Sequence, residues 1–184
     1  PVSSIEVSDG SVRAVKLKNS ETIECDSVVI ATGGASYPGT GSTGDGYRIV
    51  QELGHTVTPL KPSLVPLEAA EKWVRDLQGL TLKNVSVTMY DRKRKKIYTD
   101  FGEMLFTHYG VSGPVILSAS RHIMQYDYRD VFLEIDLKPA LSPEMLDARI
   151  LRDFEKYSRK QFKNSLDDLL PKKLIPVIVE LSGI

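Results

Sequence analysis

An apolar run that stops at a glycine-rich turn constrains the fold of this chain more than any other feature. Residues 25–34 have the sequence Cys-Asp-Ser-Val-Val-Ile-Ala-Thr-Gly-Gly and predict a buried strand that ends at Gly33. Four more glycines follow within residues 35–46, and an amphipathic stretch then runs to Leu53 and Gly54. Glycines let backbone N–H groups approach an anion, and a helix N-terminus adds positive charge. The pattern therefore predicts an α/β unit that holds a phosphate-bearing dinucleotide.

Composition permits this prediction and narrows the class of protein. The 184 residues are 41% hydrophobic, which is enough for a core in one domain or two small ones. Lys+Arg and Asp+Glu both number 24, so no global field attracts a nucleic acid or an anionic membrane, and we expect neither as a partner. The single cysteine fits a reducing compartment, and no apolar stretch approaches the roughly 20 residues of a membrane span. We expect a cytoplasmic protein without a metal site, since three scattered histidines and one cysteine match no zinc spacing.

The hydrophobic pattern predicts two domains, residues 1–58 and 59–184. Residues 3–31 alternate as a β-meander of three strands, with a hairpin turn at Asp9-Gly10 and a last strand from Ile23 to Ala31. A helix follows, with Gly54 as the residue after its C-cap. Prolines at 59, 62 and 66 then enforce extended chain, which marks the boundary.

The second predicted domain mixes strands and helices. Strands are predicted at residues 84–90, 96–99, 103–107 and 131–137, and residues 91–95 join the first two as a charged hairpin tip. Helices are predicted to begin at Pro114 and at Pro143, and further helices at residues 166–170 and 171–181.

Two separated motifs carry a resemblance to a known family. The first covers residues 28–54, including Thr-Gly-Asp-Gly at 43–46, and the second is Gly-Glu-Met-Leu-Phe-Thr-His-Tyr-Gly-Val-Ser-Gly-Pro at 102–114. Together with residues 61–67, they closely resemble the NAD(P)/FAD-dependent oxidoreductases of the BaiN type, also called aminoacetone-oxidase-like flavoproteins. The resemblance implies an α/β to α+β fold: part of a glutathione-reductase-type FAD domain, then an inserted β-barrel-like domain with helices. It also implies hydride transfer between FAD and a nicotinamide or a small organic substrate, with NAD(P)H as the electron donor.

The chain departs from that family in what it lacks. Flavoproteins of this kind open with Gly-x-Gly-x-x-Gly after their first strand and end on a segment that returns to the flavin domain, and neither is found here. We expect the chain to be the middle portion of such an enzyme and to be inactive by itself. Its expected partners are the missing N- and C-terminal parts of its own flavin domain and a small-molecule substrate.

The resemblance also implies a set of cofactor contacts around the glycine-rich turn. The expected FAD-binding residues are Val2, Ala31, Thr32, Gly33, Gly34, Asp45 and Gly46, and Ser36, Tyr37 and Gly39 are expected at the flavin or substrate edge. Two simpler explanations stay open. The helix dipole alone favours a carboxylate such as Asp45 in a first turn, and any tight loop needs residues such as Ser36 and Gly39 for its turns.

His108 is the candidate catalytic residue. It precedes Tyr109 and the predicted helix start at Gly113-Pro114, so a titratable ring, a phenol and a helix N-terminus lie close together along the chain. Such a group could move a proton, although a loop packed on a neighbouring strand explains the same residues. His55 and His122 have no comparable setting and are predicted at the surface or the domain boundary.

The densest cluster of positive charge in the sequence is Arg-Lys-Arg-Lys-Lys at residues 92–96. They could bind the phosphates of RNA or of NADPH, but a solvated hairpin tip also explains them, and no interleaved aromatic residue suggests base stacking. Two alternatives to the main interpretation therefore remain. One is a flavoenzyme nearer the fumarate reductases or ketosteroid dehydrogenases, favoured by Thr-Gly-Asp-Gly, and the other is a non-catalytic module that binds a protein or RNA.

Overall fold

A proline-rich stretch divides the chain into two units, Pro1–Lys61 and Pro62–Ile184. The computed structural model describes all 184 residues, and residues 55–66 contain neither helix nor strand. Three prolines lie in this stretch. Each restrains the residue before it to extended backbone and supplies no N–H group for a ladder, so neither a helix nor a sheet continues across it.

The first unit is an antiparallel meander followed by one long helix. Three strands pair in chain order: β1 (Val2–Ser8), β2 (Ser11–Leu17) and β3 (Thr22–Glu24). Asp9 and Gly10 both adopt positive φ, 52° and 74°, the backbone that a two-residue hairpin turn requires. Helix α1 (Asp45–Glu52) is followed by Gly54, whose φ of 88° lets its N–H donate to the Gln51 carbonyl. The predicted hairpin and helix are confirmed.

The apolar run that leads into the glycine-rich turn is not a strand. The prediction extended the third strand to Ala31, but β3 ends at Glu24 and residues 25–35 are irregular. Val29 is 91% exposed. A strand exists through its ladder hydrogen bonds, and no strand of this unit pairs with Val28–Ala31. Every strand pair in the structure is antiparallel, so these residues form no parallel, Rossmann-like sheet.

The second unit is built on five antiparallel strands: β4 (Leu67–Glu68), β5 (Thr81–Tyr90), β6 (Lys96–Phe106), β7 (Gly110–Ser112) and β8 (Phe132–Asp136). Their order is β4-β7-β6-β5-β8, so the predicted barrel-like domain is an open sheet with β4 and β8 at its edges. The strands predicted at 96–99 and 103–107 are one strand. This strand continues through Gly102, between the two predicted strands. A Cβ at Gly102 would lie 2.9 Å from Cγ2 of Val115, so the glycine permits close packing and does not end the strand.

Helix α3 (Pro114–His122) covers one face of this sheet and begins at the predicted proline. Its apolar residues and those of the strands form the core: Val85, Val87, Met104, Phe106, Val115 and Ile116. Alternate positions of β5 face this core, as the period of a strand requires. A short helix, α2 (Trp73–Asp76), adds Trp73, whose ring centroid lies 6.4 Å from that of Phe106.

Three helices complete the chain: α4 (Pro143–Lys156), α5 (Phe162–Ser165) and α6 (Ile175–Ser182). Ser142 caps α4 by accepting a hydrogen bond of 3.3 Å from the Met145 N–H. The helix predicted at 166–170 is a turn that follows α5, and it buries Leu166 and Leu169. The last helix begins later than predicted because Pro171 opens a turn, in which its carbonyl accepts from the Leu174 N–H at 2.8 Å. None of the helices has the length and apolar surface that a bilayer crossing requires.

Strands β4 and β7 approach each other more closely than a side chain allows. Leu67 pairs with Val111 and Glu68 pairs with Gly110. A Cβ on Gly110 would collide with the Leu67 carbonyl and lie 2.8 Å from the Glu68 Cα. Because these atoms belong to backbone, no rotamer change can relieve the contact.

We therefore expect Gly110→Ala to destabilise the second unit by about 3 kcal/mol, the upper range for overpacking. Trp73 is the only tryptophan of the chain and lies in this unit, so urea unfolding followed by its fluorescence measures the loss. Gly79→Ala is the matched control: Gly79 has φ 83° but no atom near its missing Cβ, so only backbone strain of about 1 kcal/mol is expected. Equal losses in the two variants would contradict the close approach.

Candidate functional site

The glycine-rich loop of the first unit folds back on itself. Gly33, Gly41 and Gly44 adopt φ values of 75°, 93° and 81°, which turn the chain where a Cβ would be strained. The Gly44 N–H donates to the Gly34 carbonyl over 3.1 Å and so joins the two ends of the loop. A 3₁₀ turn at Pro38–Thr40 lies between them.

The start of α1 packs directly on the segment that precedes this loop. A Cβ on Gly46 would collide with Oγ1 of Thr32 and would lie 3.1 Å from Cγ2 of Ile30. A Cβ on Gly33 would lie 3.1 Å from Oγ of Ser42. The structure therefore brings Thr32, Gly33 and Gly46 together with the helix N-terminus, and only glycine fits without displacement at two of these positions.

The beginning of β1 is tied to the same helix. Both terminal guanidinium nitrogens of Arg48 donate to the Ser3 carbonyl, each over 3.3 Å, and Arg48 also pairs with Glu52 at 2.6 Å. Val2, the residue before Ser3, is half-buried in β1. Ala31 lies in irregular backbone and is exposed.

Asp45 sets the electrostatics of the helix start. Its carboxylate accepts a hydrogen bond of 2.9 Å from the Thr43 hydroxyl and lies 3.9 Å from the Arg48 guanidinium. A negative group in the first turn is stabilised by the helix dipole. It also repels a phosphate, while its oxygens can accept from a hydroxyl. The site therefore suits a hydroxyl-bearing part of a ligand next to Asp45 and an anion elsewhere along the loop.

The residues predicted at the flavin or substrate edge are exposed in the loop. Ser36 and Gly39 are exposed, and Tyr37 is 69% exposed, with its carbonyl accepting from the Thr40 N–H at 3.1 Å. Sequence reasoning missed Tyr47 of α1. Its ring lies 3.6 Å from a Cβ built on Gly44, and its hydroxyl lies at the same distance from one built on Gly34, so it packs where the loop closes.

His108 lies in the second unit, in the tight turn between β6 and β7. Thr107 closes this turn: its N–H donates to the Gly110 carbonyl at 2.8 Å, and its hydroxyl accepts from the Gly110 N–H at 3.1 Å. The His108 ring is exposed and stands edge-on to Tyr109, with centroids 4.5 Å apart and planes at 89°. The imidazole and the phenol predicted to lie together are thus in contact, and no carboxylate bonds to the imidazole to orient it.

A second titratable cluster escaped the sequence analysis. His122 of α3 was predicted at the surface, without a functional setting, and it is exposed, but it also stacks on Tyr98 with ring centroids 4.3 Å apart. The Tyr98 hydroxyl donates to Asp100 over 2.8 Å. Burial and this carboxylate raise the pKa of Tyr98 above the usual 10.0, against a hydrogen bond with Ser118 that lowers the same pKa. These residues meet only because α3 packs on β6, so no local sequence pattern predicts the cluster.

One concave surface of the second unit is apolar. A groove of about 430 Å³ lies between β8 and the C-terminal helices, and its lining is Ile135, Asp136, Leu137, Lys138, Leu146, Ile150, Phe154, Phe162, Leu166, Leu169, Leu170 and Ile178. Its lining includes no serine, cysteine or histidine. The structure contains no group of three or more His, Cys, Asp or Glu side chains placed to hold a metal ion.

Comparison with known families fits this arrangement of a glycine loop followed by a sheet and helices. A family model described as "HI0933-like protein Rossmann domain" matches residues 1–118, and one described as "HI0933-like protein barrel and H2TH domain" matches residues 61–184. The chain belongs to the HI0933-like family. The resemblance to the BaiN-type flavoproteins is thereby confirmed, whereas the glutathione-reductase type of the flavin domain stays a prediction.

Curated relatives of this HI0933-like chain include enzymes of two names. It is 34% identical to a ribosomal RNA dihydrouridine synthase of Haemophilus influenzae over 94% of the chain and 40% of that protein. It is 30% identical to a 3-dehydro-bile acid delta(4,6)-reductase of Clostridium scindens over 86% of the chain and 39% of that protein. A ribosomal RNA dihydrouridine synthase of Escherichia coli is 31% identical over 90% of the chain and 39% of that protein. The chain thus spans about two fifths of the length of these relatives.

The hydrogen-bonding groups of the glycine-rich loop in this HI0933-like chain suit a dinucleotide such as FAD. The absence of a Cβ at Gly33 and Gly46 lets the loop and the start of α1 pack closely on Ser42 and Thr32. A glycine-rich loop that leads into a helix N-terminus is a favourable place for an anion. The Asp45 carboxylate is an acceptor for a sugar or ribityl hydroxyl. Backbone of residues 31–34 and the side chain of Asp45 would therefore hold different parts of one cofactor.

We expect Gly46→Ala to loosen α1 by about 2 kcal/mol, because the added methyl group collides with Thr32. Amide hydrogen exchange of α1 measures this loss as faster opening of the helix. Thr32→Ala removes the hydroxyl that causes the collision, so adding it to Gly46→Ala should restore protection. Gly39→Ala, with ordinary φ and no atom near its missing Cβ, should leave exchange unchanged. A double variant as unprotected as Gly46→Ala would disprove the contact.

The Tyr98 cluster gives a pH prediction. A phenol whose pKa is raised on folding stabilises the fold fully below pH 10, and this contribution is lost as pH rises through the higher folded value. Asp100→Asn removes the negative charge, so we expect Tyr98 to ionise at lower pH than in the parent chain. Titration of tyrosinate absorbance, with Tyr98→Phe to identify the signal among eight tyrosines, measures the shift. An unchanged titration would mean that burial alone raises the pKa.

Proposed function

We propose that this chain is part of a cytoplasmic, FAD-dependent reductase that saturates a carbon–carbon double bond conjugated with a carbonyl group. The single observation that carries the proposal is the glycine loop closed onto α1 in a member of the HI0933-like family. The names of the relatives support the reaction type. Dihydrouridine is uridine with its ring double bond saturated, and a delta(4,6)-reductase of a 3-dehydro-bile acid acts on double bonds conjugated with the 3-oxo group.

Different residues of this chain would bind the cofactor and border the substrate in such a reaction. When bound and reduced by NAD(P)H, FAD would supply a hydride to the double-bond carbon remote from the carbonyl. Backbone of Ala31–Gly34 and the carboxylate of Asp45 would hold the cofactor, with Val2 and Gly46 shaping its edges. Ser36, Tyr37 and Gly39 would border the flavin or the substrate, and all three are exposed in the loop.

A proton must also reach the carbon next to the carbonyl. His108 is the candidate donor, since its imidazole is exposed and stands edge-on against the ring of Tyr109. With hydride from the flavin and this proton, the double bond gains two hydrogens. NAD(P)H loses the hydride, which balances the reaction.

We also propose that Val28–Ala31 is completed as a strand by residues outside this chain. The segment is apolar, unpaired and exposed at Val29, which is the state expected of a strand whose neighbours are absent. Those neighbours would be the further parts of a glutathione-reductase-type flavin domain. The proposal explains why the glycine loop is formed while the strand before it is not.

The first test is a full-length protein that contains this chain, purified without added cofactor. We expect flavin absorbance near about 370 and 450 nm, and oxidation of NAD(P)H that depends on a conjugated enone. A uridine-containing RNA and a 3-oxo steroid with a conjugated double bond are the two substrates to compare. A colourless protein that takes up no FAD would overturn the proposed function.

His108→Gln should separate the two half-reactions. We expect reduction of the flavin by NAD(P)H to continue, while its reoxidation by the enone slows by about 10²-fold or more, because only the second step needs the proton. Stopped-flow absorbance of the flavin measures each step separately. His55→Gln is the control, since His55 is exposed in the irregular stretch between the units. Equal slowing of both steps would argue for a structural role of the turn instead.

A further inference from the structure

We propose that the hairpin between β5 and β6, together with Phe132 of β8, binds single-stranded RNA. The inference rests on the proposed function and names its substrate class, a uridine-containing RNA strand. We call this surface the basic platform. It consists of Tyr90, Arg92, Lys93, Arg94, Lys95, Lys96 and Phe132.

The tip of the hairpin is fixed by hydrogen bonds. The Asp91 carboxylate accepts from the N–H groups of Lys93 at 2.8 Å and Lys95 at 2.9 Å, and the Asp91 carbonyl accepts from the Arg94 N–H at 2.9 Å. Arg94 adopts a φ of 59°, which closes the turn. The cations are therefore presented on an ordered backbone, so less conformational freedom is lost when a ligand binds.

The cations of the tip have no counter-charge within ion-pair distance. Five other cations of the unit form ion pairs, as Lys156 does with Asp168 at 2.8 Å and Arg129 with Asp127 at 2.7 Å. None of Arg92–Lys96 makes an ion pair. Five adjacent positive charges without counter-charges repel one another, and a phosphate backbone relieves that repulsion.

Aromatic rings lie beside these charges, although the sequence shows none among them. The guanidinium carbon of Arg94 lies 4.8 Å from the centroid of Phe132, which comes from a distant strand and is 43% exposed. The ring holds the flat guanidinium in place. A base can stack on its outer face, as bases do on arginine planes and aromatic rings in single-strand binding.

The register of the sheet extends this surface. Phe132 is directly opposite Tyr90 on β5, and Tyr90 is directly opposite Lys96 on β6. Residues opposite each other in antiparallel strands share a face, so ring, ring and ammonium form a row across three strands. Ile97 is an extra residue in β6, between the pairs Met89–Tyr98 and Tyr90–Lys96, and it packs towards the core. This bulge puts Lys96 on the platform side.

Carboxylates on the same face of the sheet limit the extent of the basic platform. Glu134 and Asp136 follow Phe132 at alternate positions of β8 and are exposed on the same face. Their carboxylates would repel a strand that ran along β8, so a polyanion is confined to the hairpin end. A short single strand fits this footprint, whereas a duplex hides the base faces that the rings need.

Fluorescence anisotropy of a labelled oligouridine of about 12 nucleotides with the full chain tests the proposal. We expect binding whose logarithm falls with the logarithm of salt concentration with a slope of roughly −2 to −3. Arg92→Gln/Lys93→Gln should reduce that slope by about 1.4, since each lost phosphate contact in a single strand contributes about 0.7. Lys163→Gln/Lys172→Gln is the charge-matched control, because both lysines are exposed and unpaired in the same unit, and it should behave like the parent.

The aromatic part of the platform has its own variant. Phe132→Leu keeps an apolar side chain and removes the flat ring, so we expect about tenfold weaker binding with an unchanged salt slope, and Phe132→Tyr should retain affinity. A polyphosphate of equal charge should bind more weakly than the oligouridine.

The platform would be overturned by the absence of RNA binding at low salt or by equal loss of binding in the charge variant and its control. Equal affinity for polyphosphate, with no effect of Phe132→Leu, would also overturn it. Preferential binding of anionic vesicles would do the same and would favour a membrane partner. The readout needs no flavin, so its failure is distinct from that of the proposed function. A flavin-containing enone reductase without RNA affinity would refute only the platform, and an RNA-binding protein without flavin would refute only the reductase.

Discussion

The ladder between β5 and β6 is the interaction on which the second unit depends. It runs from the pair Thr81–Leu105 to the pair Tyr90–Lys96, and every other strand of the sheet attaches to one of its members or to β7 beside it. One face of the ladder carries the buried residues that meet α3. The hairpin that joins its strands carries the unpaired cations. One pair of strands thus carries both the core and the charged surface. The core residues lie on one face of the pair, and the cations lie at its hairpin end.

In the first unit, the contacts that order the glycine loop are local. The glycine loop closes through one backbone hydrogen bond, and α1 is seated by the fit of Gly46 against Thr32. These contacts span short stretches of chain and need no distant partner. The apolar segment Val28–Ala31 needs neighbouring strands to pair with, and it is irregular without them. The same unit therefore combines a formed turn with an unformed strand.

Much of this fold could be predicted from sequence where the signal was local. The Asp9-Gly10 turn, the proline starts of α3 and α4 and the alternation in β5 each depend on a few adjacent residues. The extent of β3 was wrong because an apolar run indicates burial but does not supply a pairing partner. The division of β6 was wrong because a glycine in a strand can mark a break or a close contact, and only the position of Val115 decides between them.

The candidate site shows the same limit. The glycine loop and Asp45 are contiguous, so their proximity followed from sequence. Phe132 lies far along the chain from Arg94, and the absence of aromatic residues within the basic run argued against stacking. The antiparallel pairing of β5 with β8 supplies the ring from a different strand. His122 and Tyr98 likewise meet only through the packing of α3 on β6.

The extra residue in β6 makes the two faces of the sheet interdependent. Since side chains alternate along a strand, a β6 straightened without loss of a residue would place Ile97 opposite Tyr90 and turn Lys96 to the other face. Deletion of Ile97 would instead remove the bulge and leave Lys96 opposite Tyr90. The row of the platform therefore tolerates loss of the extra residue, but it does not tolerate loss of the bulge while that residue remains.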